Sequence, residues 1–299
     1  MVWRCGEKML KQRSRYSLST MKKLYLITIT ILVSVAMLMT SCNREDINDD
    51  NGNTENPSDG SGDDSGSEDN PNYPSTAVVI PNAVTDYDGN SYDAVKIGNQ
   101  VWMAKNLRTT HYADGTPIPG GSSGLVSYRL APNNDEANVP EYGYLYSWSV
   151  AMKNAGSSDL NPSGVQGVCP NGWHLPSEAE WNQLETYMKS QSIYSQGGYS
   201  DYIAKALAAT SGWDVSYEPN TPGYDPCSNN ASGFSAVPAG TCYMGTTLGF
   251  GMNSVMWSAT ELPDNNDHSF GYAVVYAFQS PSRSTDNKQV TEAVRCVRN

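Results

Sequence analysis

At 299 residues, with 17% charged side chains and a net charge of −12, the chain can hold one sizeable globular domain behind a first quarter of different composition. Residues 1–41 carry seven Lys/Arg and one Glu, residues 43–76 carry ten Asp/Glu and one Arg, and residues 77–299 carry twenty Asp/Glu against eleven Lys/Arg. The acidic balance beyond residue 42 argues against a nucleic-acid surface. The abundance of Tyr, Gly, Asn and Ser, with four Phe, suits a β- and loop-rich exported domain better than a helical cytosolic enzyme.

The first 41 residues read as an address. Met21-Lys22-Lys23 and the apolar run Leu24 to Met39 make a basic n-region and an h-region that close on Thr40-Ser41-Cys42. The run is short of the roughly 20 apolar residues a spanning helix needs and is interrupted by Thr28, Thr30 and Ser34. Residues 1–20, polar and basic ahead of the better start at Met21, are set aside as an overlong start. Small residues directly before a cysteine resemble the lipobox of bacterial lipoproteins, which implies cleavage before Cys42 and lipidation of its thiol. The expected location is the outer membrane, with the protein held by its lipid and exposed either to the periplasm or at the cell surface.

Residues 43–76 are rich in Gly, Ser, Asp and Asn and hold almost no apolar surface, so they are expected to act as an unfolded tether reaching about 30 Å. The acidic run Glu45-Asp46-Ile47-Asn48-Asp49-Asp50 also resembles the surface-export signal of some Gram-negative lipoproteins. A plain solvating linker explains it as well.

The domain proper is expected over residues 77–299. Ala77 to Ile80 reads as a short strand, and Asp86-Tyr87-Asp88-Gly89-Asn90 as a turn into a second strand, Asp93 to Gly98. A calcium loop fits the turn poorly, because the glycine is at the fourth position and Ile97 stands where a bidentate Glu belongs. Gln100 to Leu107 completes a half-buried hairpin. Gly120-Gly121-Ser122-Ser123-Gly124 matches a nucleophile-elbow pattern, but both flanks are polar loop rather than strand and helix. Leu145, Trp148 and Met152 predict a short helix ending near Gly156.

Cys169 to Trp181 is the keystone. Ser177 followed by Glu180, ahead of Trp181, Leu184 and Met188, predicts a capping box opening an amphipathic helix that runs to about Lys189. A second helix carries Ile203, Ala206 and Leu207 and ends near Ser211-Gly212. Helices beside short strands indicate an α+β domain. Trp213 to Asn230 is then a long irregular segment, the kind of loop that often carries function.

Six blocks in order, Val95 to Leu107, Tyr142 to Trp148, Cys169 to Ser177, Ser232 to Gly240, Met256 to Thr260 and Val294 to Arg298, resemble the successive signatures of the Fibrobacter succinogenes major paralogous domain. The resemblance implies an exported surface or lipoprotein module without an established activity. The same stretches resemble, more distantly, the C-type-lectin-like fold shared with sulfatase-modifying enzymes. That implies short antiparallel strands, two main helices, long loops and disulfide staples.

With Cys5 in the discarded start and Cys42 lipidated, Cys169, Cys227, Cys242 and Cys296 remain, and four thiols allow three pairings. Resemblance to C-type-lectin-like folds pairs Cys169 with Cys296 and Cys227 with Cys242; chain entropy bounds these bridges at about 5 and about 3 kcal/mol respectively. No C-x-x-C supports a zinc or redox site. In lectins of this fold a Glu-Pro-Asn tripeptide binds calcium and sugar, and Glu218-Pro219-Asn220 matches it, but the Trp-Asn-Asp partner is absent because Ser258 and Ala259 follow Trp257. Calcium is therefore the one cofactor considered, and no metal or catalytic residues are assigned.

The best enzymatic alternative, a metal- or oxygen-dependent activity like that of sulfatase-modifying factors, lacks the paired carboxyl-terminal cysteines. His111, His174 and His268 are scattered, and Glu178 and Glu180 point different ways on a helix. The expected function is a non-catalytic module binding extracellular glycan or protein through Trp213, Tyr217, Glu218, Asn220 and Tyr224, where aromatic faces could stack or anchor. The remaining alternative is a purely structural surface domain.

Overall fold

A computed structural model describes residues 77–121, 128–191, 194 and 202–299. The signal segment, Cys42, the acidic tether and Ser122 to Gly124 of the glycine-rich stretch lie outside the described residues. Described in chain order are β1 (Val78–Thr85), β2 (Ser91–Ile97), β3 (Gln100–Met103), β4 (Arg129–Leu130), α1 (Val139–Tyr142), β5 (Leu145–Ser147) and α2 (Trp148–Met152). There follow β6 (Trp173–His174), α3 (Glu178–Ser190), α4 (Ile203–Leu207), β7 (Thr241–Tyr243) and β8 (Thr246–Leu248). The last are β9 (Asn253–Leu262), β10 (Asn265–Val275), β11 (Ser282–Asn287), β12 (Thr291–Glu292) and β13 (Val297–Arg298).

The domain is α+β, with antiparallel strand pairs in three sheets. The sheet orders are β1-β2-β3-β13-β6, β11-β10-β9 and β4-β5-β12-β7-β8. The expected first hairpin is present. Gly89 takes the left-handed conformation that turn needs (φ +83°), and the Asp86 carboxylate accepts from Asn90 N at 2.9 Å and Tyr92 OH at 2.6 Å. The predicted helix from Leu145 starts later. Leu145 to Ser147 instead pairs with β4 and β12, because strand pairing on both sides outweighs helical spacing, and only Trp148 onward coils. Lys153 ends α2 in the left-handed conformation (φ 51°), ahead of Gly156.

The keystone forms as expected. Ser177 Oγ accepts from Glu180 N at 3.2 Å and Glu180 Oε2 accepts from Ser177 N at 3.0 Å, capping α3 reciprocally. Trp181, Leu184 and Met188 are buried, and Trp181 packs on Trp102 (ring centroids 4.4 Å apart) and stacks on Tyr272 (4.6 Å). The Cys169–Cys296 disulfide ties the keystone to the stretch before β13. The second helix, α4, spans only five residues.

The segment leading into β13 is the seam of the domain. Val294 and Cys296 face one core cluster with Tyr146, Trp173 and Trp257, whereas Ala293 and Val297 face another with Trp102, Trp181 and Phe234. Strand alternation therefore buries both faces of one short stretch. Among the described residues, no helix is long and apolar enough to cross a membrane.

Candidate functional site

The long loop after α4 is packed from within. Lys205 is buried on α4 and donates from Nζ to Tyr224 O at 2.6 Å, Asp225 O at 2.8 Å and Asn229 Oδ1 at 2.9 Å. Burial pulls its pKa down to about 8, against the upward pull of Asp225. Asn229 in turn donates to Ala209 O at 2.9 Å and Pro222 O at 3.0 Å. One buried ammonium and one amide thus satisfy the carbonyls of a loop with no regular ladder to do so.

The structure separates the five residues expected to bind. Trp213 is not available to a ligand: it is 8% exposed and its Nε1 donates to Ala209 O at 3.0 Å. Its ring sits in the core with Leu207 and Phe234, because the indole is the largest apolar group the loop can bury. Tyr217 is 91% exposed and Tyr224 45%. Glu218 is exposed and Asn220 half-buried; the Glu218 backbone is held by Ser216 Oγ and Thr221 Oγ1.

Loop 213–224 lies beside two other segments. Asp214 N donates to Gly251 O at 2.7 Å, Tyr276 N to Met252 O at 2.8 Å, Gly223 N to Tyr276 O at 2.8 Å, and Gln279 Nε2 to Pro219 O at 2.9 Å. On the loop and on the two segments bonded to it, Val215, Tyr217, Met252 and Phe278 are exposed. The result is a face with large apolar side chains in water, held on a backbone fixed by hydrogen bonds. Sequence reasoning missed the 251–252 and 276–279 parts of it, because only backbone bonds between distant positions bring them to the loop.

The expected Cys227–Cys242 bridge is not formed. Cys242 is a free thiol buried in the core on β7, whereas Cys227 sits exposed on a short 3-10 turn. Strand pairing aims Cys242 inward, away from an exposed partner. Burial pushes its thiol pKa up, against a lowering contact from Gly245 N, the reverse of what a reactive cysteine needs.

The histidines sit on separate elements. His111 Nδ1 meets Asp88 Oδ1 at 2.5 Å. Burial works upward on Asp88, but donors from Thr110, His111 and Thr109 bring its pKa below the usual value. This carboxylate, expected from the sequence to be part of a turn, clamps that turn to the 109–111 strap. His174 is buried between Glu180 Oε1 (2.7 Å from Nε2) and Asn299 Oδ1 (2.7 Å from Nδ1).

Burial works against a charged His174, yet the Glu180 and Asn299 acceptors outweigh it and the pKa is raised. The pairing therefore contributes fully below the unfolded value near 6.5 and is lost as pH rises through the higher native value. The stability gap between wild type and His174→Gln is expected to be full below pH 6.5 and to shrink as pH rises above it, measured by urea unfolding. A gap that stays constant as pH rises would rule out the charged pair.

Among the described residues, no group of three His, Cys, Asp or Glu side chains is placed to hold a metal ion. No curated protein and no solved structure matches the chain. The family model of the Fibrobacter succinogenes major domain matches residues 95–298, which takes in β3, the keystone, the long loop and the seam. The chain belongs to the Fibrobacter succinogenes major domain family.

Proposed function

We propose that the protein is an exported, lipid-anchored, non-catalytic module that docks an extracellular partner through the face built by loop 213–224, residues 251–252 and the 276–279 turn. The observation that carries this reading is Tyr217, 91% exposed on a loop whose backbone is held by Lys205, Asn229 and Thr221. A rigid aromatic in water loses little conformational freedom on binding and contributes a large contact area. Met252 and Phe278, exposed on the segments bonded to its loop, favour an apolar protein surface over a sugar, which would call for convergent polar groups. The leader and Cys42 supply the export and anchoring parts of the reading. The finer likeness to C-type lectins is supported by the Leu175 to Trp181 helix opening and by the staple from Cys169 to the closing strand.

The test is retention of envelope proteins and extracellular polysaccharides on immobilised protein. Tyr217→Ala is expected to weaken the retained partner at least tenfold, about 1.4 kcal/mol, with no shift in the unfolding midpoint. Silence across both panels, or binding indifferent to Tyr217→Ala and Tyr224→Ala, would remove this face as the docking site.

A further inference from the structure

Asp225 and Pro226 make the one Asp–Pro bond in the chain, and the fold holds that bond under strain. Asp225 takes the left-handed conformation (φ 51°, ψ 71°), which L side chains rarely adopt, whereas a following proline steers its neighbour toward extended backbone. Such a conformation persists only where the surroundings over-determine it. Here they do. The Asp225 carbonyl oxygen accepts from Lys205 Nζ at 2.8 Å, Ser228 Oγ at 2.9 Å and Ser228 N at 3.2 Å.

Hydrogen bonds converging on one carbonyl oxygen are the arrangement that stabilises negative charge developing there. The donors are in place before any reaction. Lys205 is buried on α4 and bonded also to Tyr224 O and Asn229 Oδ1, and Ser228 closes the 3-10 turn Pro226–Ser228. Asp225 itself is exposed, so water reaches the bond. Its own carboxylate is the nucleophile at hand, since attack on the main-chain carbonyl carbon closes an unstrained five-membered ring. Proline suits the leaving position, because the nitrogen of a tertiary amide takes up a proton more readily than that of an ordinary peptide bond.

We propose that the chain cuts itself between Asp225 and Pro226. A carboxylate oxygen of Asp225 bonds to the Asp225 carbonyl carbon, and the oxyanion that forms sits among Lys205 Nζ, Ser228 Oγ and Ser228 N. The carbon–nitrogen bond then breaks, its electron pair leaves with the Pro226 nitrogen, and that nitrogen takes a proton from solvent. Asp225 is left as a cyclic anhydride, which one water opens to two carboxyl groups, so hydrolysis of the peptide bond is the net change. The two pieces stay joined, because Cys169 lies before the cut and Cys296 after it. The cut falls at the end of loop 213–224, but the inference does not rest on the docking reading.

The experiment incubates the purified full chain in mildly acidic buffer, which supplies the proton the leaving nitrogen needs, and follows it by intact mass and by electrophoresis with and without reductant. The expected result is one band without reductant and two with it, the smaller piece beginning Pro226-Cys227-Ser228. The same chain in concentrated urea should be cut at least tenfold more slowly, since the fold alone assembles the donors. Asp225→Asn should abolish the cut, and Ser228→Ala, which leaves Lys205 in place, should slow it at least tenfold. An uncut chain, a chain cut as fast in urea as in buffer, or a cut that survives Asp225→Asn overturns the proposal.

Discussion

Arg295→Ala is expected to lower the unfolding free energy by about 4 kcal/mol. The guanidinium is fully buried. It donates to Met103 O at 3.0 Å, Ser235 O at 3.2 Å, Asn106 Oδ1 at 2.8 Å and Phe234 O, and it lies over the Phe234 ring at 4.4 Å. Burial alone pulls its pKa down to about 9. No carboxylate compensates the charge, so the side chain is retained for what it bonds. It serves carbonyls from β3 and from the 234–235 stretch, which no strand ladder reaches.

Alanine leaves those acceptors dry and adds a cavity. Lysine keeps the charge but has three donors on a flexible stem, so Arg295→Lys should still lose roughly half as much. Chemical denaturation of the purified variants measures both. An Arg295→Met variant as stable as wild type would show that the desolvation cost of the cation cancels the value of its bonds, and hydrogen bonding would no longer explain why a guanidinium is kept there.

Replacing Cys169 and Cys296 together with serine should cost about 3–5 kcal/mol. The bridge joins residues 127 apart in sequence, so it removes a long loop from the unfolded ensemble. It also pins the keystone to the seam, where Val297 pairs with both Trp102 and His174. The variant should unfold at a lower denaturant midpoint with a similar dependence on denaturant. An unchanged midpoint would mean that strand pairing and core packing hold the seam by themselves.

Much of the frame was legible in the chain because it depends on local rules. The capping box at Ser177 and Glu180, the Asp86 to Asn90 turn and the alternation of β2 follow from neighbours within a few residues. The Cys169–Cys296 staple came from resemblance, and the structure carries it. What local rules could not resolve was direction in space. Leu145 fits a helical stripe with Trp148 and Met152, and only strands from 129–130 and 291–292 decide that it is extended. Cys227 and Cys242 are close enough in sequence to bridge, and only β7 pairing turns one of them into the core.

Trp213 and Tyr217 are both loop aromatics, separated by four positions. Which one is buried depends on α4 and Phe234, not on their own neighbours. The same holds for Lys205, Glu292 and Arg295, charged residues that composition assigns to the surface. By itself, then, the sequence determined the first hairpin, the keystone helix and the family-specific order of blocks, since turn chemistry, capping and periodicity act along the chain. Tertiary structure alone decided which charges are buried, which thiol is free and which aromatics face water, because those depend on side chains brought together from distant positions by strand pairing.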